Sequence, residues 1–267
     1  MSKHIAKIVL GVTKALSAVG SRWVQVDTCV RVASELVPRV PVSTRHGQLT
    51  LYCPSKTSIY WARRGYASEP ETLRWIDNME PGATLWDIGA NVGLYSLYAG
   101  LRGGLNVLAF EANPWTYECL LRNVLDNGVR KAVTPLNLAL AETLSVGSLY
   151  IAGNEAGTVG NAFGDPAASV VGTPSAEVPA VSVSMDSLVE IFGLPVPHHI
   201  KIDVDSIEDR IIAGGAKVLG NARLRSVLVE VVRDRKQRAE WITETLCGYG
   251  FRLENTISSE VNCLFVR

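Results

Sequence analysis

The stretch Leu85-Trp86-Asp87-Ile88-Gly89-Ala90-Asn91-Val92-Gly93-Leu94-Tyr95-Ser96 decides how the chain is read. Thr84 to Ile88 is a short apolar strand. Gly89 to Gly93 is a turn of small residues. Leu94, Leu97, Tyr98 and Leu101 then recur at helical spacing. A second strand, Asn106 to Phe110, ends at the acidic Glu111. Asn113 is placed to cap the next helix, with Pro114 in its first position. Tyr117, Leu120, Leu121 and Val124 form the apolar stripe of that helix, Gly128 stops it, and Val133 to Leu138 reads as a third strand. Strand, helix, strand, helix, strand with short connections implies right-handed βαβ units and a parallel sheet.

The pattern resumes later in the chain. His199 to Val204 reads as a strand, and Ser206 to Leu219 as a helix with Ser206 and Asp209 as a capping pair. Ser226 to Val232 is a nearly continuous apolar run, as a central buried strand requires. Arg235 to Cys247 reads as a helix. Phe251 to Leu253 and Val261 to Val266 form a closing pair of strands. Between the halves, residues 143–182 are rich in Gly, Ala, Ser, Val and Pro. Ser148 to Ile151 and Val178 to Val183 are strand candidates there, and 153–174 reads as a long loop, a candidate lid over an acceptor.

Ahead of the sheet lies a leader. Residues 1 to about 40 read as helical, closed by Pro38 and Pro41. Ile5 to Val19 is apolar but interrupted by Lys14, and it is too short for a span of about 20 residues. An amphipathic helix ending near Gly20 either packs on the body or gives residues 1–20 a peripheral membrane contact. Gly47 to Cys53 reads as a strand and Glu69 to Met79 as a helix. Trp61, Arg63, Arg64 and Tyr66 either anchor the leader or stack on a sugar. The expected division is a leader over 1–66 and a catalytic domain over 67–267.

Hydrophobic residues make up 47% of the 267, enough for a core and against a disordered chain. Lys+Arg and Asp+Glu are both 26, which argues against a broad basic surface and hence against a nucleic-acid partner. Cys29, Cys53, Cys119, Cys247 and Cys263 are dispersed, with no CxxC pair; this fits reduced thiols packed as small hydrophobes in a cytoplasmic protein.

Glycine after the first strand lets the backbone turn sharply and lets a ligand approach, and the helix start supplies N–H groups. Glu111, at the end of the next strand, can accept hydrogen bonds from both hydroxyls of a ribose. A dinucleotide site wants G-x-G-x-x-G against a pyrophosphate, and this chain has Asn91 at the middle glycine. Asp87 would sit poorly near a pyrophosphate but suits a cation. S-adenosylmethionine has a ribose, an ammonium and a sulfonium and no phosphate, so the pattern favours it. Two other readings stay open: a nicotinamide-dependent oxidoreductase, and a non-catalytic binding protein that retains the fold.

Leu85 to Ser96, Ala109-Phe110-Glu111-Ala112-Asn113-Pro114, Met185-Asp186-Ser187-Leu188 and Lys201-Ile202-Asp203-Val204 together resemble the FkbM family of S-adenosylmethionine-dependent methyltransferases. Glu69-Pro70-Glu71-Thr72 sits where many members have a similar acidic segment. The likeness covers about residues 60–235. It implies an α/β, Rossmann-like seven-stranded methyltransferase sheet, mostly parallel with an antiparallel C-terminal strand. It also implies O-methylation of a small-molecule or glycan hydroxyl, with a place in polysaccharide biosynthesis. By that resemblance Asp87, Gly89, Ala90 and Asn91 surround the methionine part of the cofactor, with Gly93 closing the turn. Glu111 holds the ribose, Asn137 to Ala139 border the adenine, and Asp203 faces the reaction centre. Where members read Glu-Gly after the fourth strand, this chain has Asp205-Ser206, which narrows the backbone path.

Attack by a hydroxyl is helped by a base. Asp203 is the first candidate and Glu230, an acid within the Ser226 to Val232 run, the second. Burial of Glu230 calls for a partner such as Arg or Lys. His198 and His199 precede their strand and read as solvated loop residues at its far end. Asp203, Asp205 and Glu208 could hold a divalent cation, but Asp205 and Glu208 are also what a helix N-terminus favours, and no metal is assigned.

Overall fold

The computed structural model describes residues 2–166, 173–205, 207–231, 236–256 and 262–267. Two compact units divide the chain, Met1–Arg39 and Val40–Arg267. The first holds helices α1 (Ser2–Ser17) and α2 (Arg22–Leu36). The second begins with the hairpin β1 (Arg39–Thr44) and β2 (Gly47–Tyr52), then α3 (Lys56–Arg64) and α4 (Pro70–Asp77). The boundary therefore lies near residue 39, not 66. The reason is side-chain bonding of β2 to the sheet layer: Thr50 N donates to Asn127 Oδ1 and Tyr52 N to Asn123 Oδ1, both at 2.7 Å.

β3 (Thr84–Ile88), α5 (Leu94–Arg102), β4 (Asn106–Phe110), α6 (Pro114–Asp126) and β5 (Val133–Leu136) follow as expected. Asn113 caps α6, its Oδ1 accepting from Trp115 N at 3.1 Å. Next come β6 (Ala139–Leu140), β7 (Ser145–Ile151), β8 (Ala162–Phe163), β9 (Ala176–Val183) and α7 (Met185–Glu190). The chain closes with β10 (His199–Ile202), α8 (Glu208–Ala213), α9 (Ala216–Gly220), β11 (Ser226–Glu230), α10 (Lys236–Gly248), β12 (Arg252–Thr256) and β13 (Asn262–Val266).

The main sheet has seven strands in the order β12-β13-β11-β10-β3-β4-β5. β11, β10, β3, β4 and β5 pair in parallel, and β13 runs antiparallel between β11 and β12. This mostly parallel sheet, with one antiparallel strand from the C-terminal end, is the Rossmann-like arrangement that the resemblance implies. Alternating side chains feed two cores. Leu85, Val107, Ala109 and Val133 pack with Ile76, Leu97, Tyr98 and Leu120 on one face. Trp86, Ile88, Leu108, Phe110, Ile200 and Ile202 pack with Met185, Ile211, Leu219 and Ile242 on the other. Because both faces are covered, the central strands are largely apolar, with Asp87 of β3 and Lys201 of β10 as buried exceptions.

Two expectations are corrected. The strands expected at Ser148–Ile151 and Val178–Val183 form as β7 and β9, and the long loop expected over 153–174 is interrupted by the two-residue β8; β6, β9, β7 and β8 make a four-stranded sheet whose Leu149, Ile151, Phe163 and Val183 enter the second core. Residues 167–172 lie outside the described residues. The helix expected over Ser206–Leu219 is two helices broken at Gly214-Gly215. A Cβ at Gly214 would lie 2.5 Å from Ala141 O, and one at Gly215 would lie 2.2 Å from Met185 Cε. Close packing there requires glycine and bends the chain. Ser206 lies outside the described residues; α8 has Ile207 at its N-cap with no side-chain cap, and Asp209 pairs with Arg238 at 3.2 Å.

Strand order places the loops after β3 and β10 side by side, where one βα crossover leaves in each direction. Gly89 has φ +83°, and a Cβ on it would lie 1.8 Å from the Asp203 carbonyl oxygen. Gly82 has the same φ of +83° and open space around it. Gly82→Ala should therefore cost about 1 kcal/mol, the backbone penalty alone. Gly89→Ala should cost several kcal/mol or prevent folding, as overpacking against backbone does. Thermal unfolding of the two variants side by side checks this; equal losses would contradict the contact.

Candidate active site

The turn after β3 spends its amides within the protein. Gly89 N and Ala90 N both donate to Phe110 O, at 3.0 and 2.9 Å. Asn91 N donates to Glu111 Oε2 at 2.9 Å, Val92 N to Asn91 Oδ1 at 2.7 Å, and Gly93 N to Ala90 O at 2.9 Å. Every N–H of the turn is bonded within the protein, so none points out as an anion cradle. The glycines serve the fold. Gly89 makes room for the Asp203 backbone, and Gly93 (φ +93°) makes room for Leu120, whose Cδ1 would be 2.5 Å from a Cβ.

A pocket opens at the carboxyl ends of β3, β4 and β10. Gly89, Asn91, Glu111 and Asp203 of the expected site line it. Five other expected residues, Asp87, Ala90, Gly93, Asn137 and Glu230, are not in its lining. Ala90 and Gly93 shape the turn behind it. Asp87 is fully buried beneath it, accepting from Ser96 Oγ at 2.5 Å, and its Oδ1 has no hydrogen-bond partner among the described residues. Asn137 does not border the pocket because β5 ends at Leu136 and the chain turns. Its Nδ2 donates to Glu111 O at 2.8 Å and to Ala112 O at 3.2 Å, and Leu138, Ala139 and Leu140 form the apolar wall instead.

Glu111 is held by two backbone donors. Asn91 N binds Oε2, and Asn113 N binds Oε1 at 2.8 Å. Burial pushes its pKa up to about 7, although those two amides oppose the shift. The remaining lone pairs are free for a ligand.

Four side chains gather around Asp203. The Lys201 ammonium, buried, lies 2.5 Å from Asp203 Oδ2 and 5.0 Å over the Tyr95 ring. The Tyr95 hydroxyl donates to Glu69. Burial alone would raise Asp203, but the Lys201 charge and hydrogen bond outweigh it, and its pKa lies below the ordinary value. Glu230 has a carboxylate, Asp203, for its main neighbour, and the Lys201 charge reaches it only as the weaker, opposing influence. Chiefly the Asp203 charge, then burial, raise its pKa to about 9, and its protonated carboxyl donates to Asp203. Glu230 is outside the pocket lining, so Asp203 alone of this pair faces the cavity. Glu69, Tyr95 and Lys201 carried no site role in the sequence reading; a lysine inside the apolar run of β10 is the signal that marks one of them.

The segment joining β7 to β8 closes the rim. Ser55 Oγ donates to Ala156 O at 2.7 Å, Trp61 Nε1 to Gly157 O at 2.8 Å, and Gly157 N to Thr116 Oγ1 at 3.0 Å. Thr158, Asn161 and Phe163 then line the pocket. Asp205, at φ +71°, accepts from Gly160 N at 2.7 Å. Strain at a non-glycine residue is thus fastened by the rim. Burial and the Asp203 charge raise Asp205 to about 6, and burial raises Glu208 to about 7 despite Arg238. Trp61 therefore braces the rim, and Tyr66 OH donates to Leu94 O at 2.8 Å within the core.

His198 and His199 lie at the opposite end of β10 from the pocket. His198 Nδ1 accepts from Thr84 N at 2.9 Å. His199 is buried, not solvated: its Nδ1 is 2.7 Å from Ser226 Oγ and its Nε2 3.3 Å from Glu80. Cys53 and Cys119 are buried as expected, whereas Cys247 is exposed.

The family model described as Methyltransferase FkbM domain matches residues 87–253. Hexuronic acid methyltransferase AglP of Haloferax volcanii is 26% identical over 188 residues, covering 69% of this chain and 72% of that protein. A tRNA (guanine(37)-N(1))-methyltransferase of Paramecium tetraurelia is 30% identical over 88 residues, 32% of this chain and 21% of that one. Among solved structures, a methyltransferase FkbM from Methylobacillus flagellatus aligns with a TM-score of 0.49 at 12% identity, over 91% of this chain and 59% of that chain. The family model spans more than half of the sequence, and the chain belongs to the FkbM methyltransferases.

Proposed function

We propose that the chain is a cytoplasmic S-adenosylmethionine-dependent O-methyltransferase acting on a hydroxyl of a sugar, in a glycan or a glycolipid. The observation that carries the cofactor reading is the pairing of an acid-lined pocket with a turn whose amides are all bonded internally. A pyrophosphate would meet Glu111, Asp203 and Asp205 and find no N–H donors, which disfavours a nicotinamide dinucleotide. A cationic, phosphate-free ligand fits the same wall.

S-adenosylmethionine, when bound, supplies a methyl group activated on sulfur. The residues of this chain do the rest. Glu111 would accept from the ribose hydroxyls with the lone pairs that Asn91 N and Asn113 N leave open. Leu138, Ala139 and Leu140 would cover the adenine. Asp203, ionised through Lys201, would orient the acceptor hydroxyl and take its proton as the new bond forms. A weakly basic carboxylate suffices there, because a methylated hydroxyl oxygen sheds its proton readily. Glu230, protonated at neutral pH, would steady Asp203 from behind. For the acceptor, the support is the Haloferax relative, whose name gives a hexuronic acid. Balanced charge, 26 basic against 26 acidic residues, supports a sugar over a nucleic acid.

Calorimetric titration with S-adenosylhomocysteine and with NAD tests the cofactor: binding of the first and not the second is expected, and the reverse would overturn the reading. Affinity should fall as pH drops through about 7, because Glu111 then gains a proton and loses the acceptor it offers the ribose. Glu111→Gln should weaken binding by about tenfold, the loss of a charge-assisted hydrogen bond, and flatten that pH dependence.

Titration of the Asp203–Glu230 pair, followed by infrared carboxyl bands, checks the proton inventory. Glu230 should keep its proton up to about pH 9, and Asp203→Asn should bring it down toward the ordinary range. Since Glu230 holds its proton more tightly folded than unfolded, its own contribution to stability is present below the ordinary carboxyl range and lost as pH rises toward 9, whereas Asp203, held below its ordinary value, contributes stability that is lost as pH falls. A Glu230 that ionises normally in the unaltered protein would contradict the pairing.

A further inference from the structure

The N-terminal unit holds a pattern that methyl transfer does not use. Residues 3–26 carry Lys3, Lys7, Lys14 and Arg22, and no acidic side chain precedes Asp27. At about 100° per residue, Lys3, Lys7 and Lys14 fall in one stripe along α1. Ile5, Ile8, Val12 and Leu16, spaced by three and four, form a stripe on the opposite side. That apolar stripe is uncovered: Ile8 is 66% exposed and Leu16 72%. On α2, Trp23, Val26 and Val30 share a face and are exposed as well, Trp23 at 76%. Contiguous exposed apolar surface of this kind marks an interaction site.

Charge decides the partner. A second copy packed on the apolar stripe would leave Lys3, Lys7 and Lys14, on the opposite side of α1, without a partner. A bilayer surface rich in anionic lipid supplies phosphates for the lysines and acyl chains for the apolar stripe, while tryptophan favours the boundary between them. No helix among the described residues is long and apolar enough to cross a membrane, so the helices would lie in the plane of the interface. We propose that α1 and α2 form a peripheral anchor for an anionic lipid bilayer, with Lys3, Lys7 and Lys14 on the headgroups and Ile5, Ile8, Val12, Leu16 and Trp23 in the acyl boundary.

Flotation of the full chain with vesicles tests this, using phosphatidylcholine alone and phosphatidylcholine mixed with phosphatidylglycerol, at low and high salt. The anchor requires binding to the anionic vesicles that weakens with salt and with loss of phosphatidylglycerol. The triple variant Lys3→Gln/Lys7→Gln/Lys14→Gln should lose about fivefold per lysine, on the order of a hundredfold in all. These lysines are on the surface of α1, and unchanged S-adenosylhomocysteine binding by the same variant shows that the larger unit is intact. Flotation reads the anchor independently of whether that ligand binds. The anchor is overturned by failure of the full chain to float, by equal binding of the triple variant, or by self-association through these helices without vesicle binding.

Discussion

The contact between Gly89 and the carbonyl of Asp203 sets the geometry on which the site depends. It brings the loops after β3 and β10 to van der Waals distance at the point where the crossovers diverge. No side chain fits between them. Once the loops touch, the β3 turn is folded back on β4 through Phe110 O, and its amides are used up. The same folding delivers Glu111 onto Asn91 N and fixes Asp203 at the pocket wall. A single glycine therefore governs both what the pocket contains and what it lacks.

The second constraint is electrostatic. Asp87, Asp203 and Glu230 crowd around one buried ammonium, Lys201. All three cannot ionise at once without a larger positive charge. The chain resolves this by proton placement: Asp203 takes the lysine, Glu230 stays protonated and donates to it, and burial raises Asp87. Asp203 is left as an ionised acceptor exposed to the cavity. Tyr95, over which Lys201 sits, ties the ammonium through Glu69 to the start of α4. An acidic segment ahead of the sheet is thereby connected to the chemistry at its edge.

Much of this was legible in the sequence, for reasons that differ by residue. The central strands could be read because burial on both faces makes them apolar runs, and α6 because Asn113 and Pro114 mark its start. Glu111 and Asp203 could be placed because a strand end at the carboxyl edge of a parallel sheet is where a ligand binds. Asn137 was misplaced because β5 stops two residues sooner than its apolar run does. The break between α8 and α9 hides in Gly214-Gly215, whose need for space comes from Ala141 and Met185, far away in sequence. The small sheet of β6 to β9 was obscured because β8 is two residues long and finds its pairing only in β7. The partner of Glu230 could not be read either, since a carboxyl beside a carboxylate depends on where protons sit and not on residue type.

The most direct test of the account is a crystal structure of the protein with S-adenosylhomocysteine. The account predicts the ribose hydroxyls on the Glu111 carboxylate and the adenine against Leu138 to Leu140. It also predicts a turn over Gly89 to Gly93 that keeps every internal hydrogen bond it has now. A ligand lodged elsewhere, or a turn that releases its amides toward the ligand, would contradict the central claim that this pocket is built for a cationic, phosphate-free cofactor.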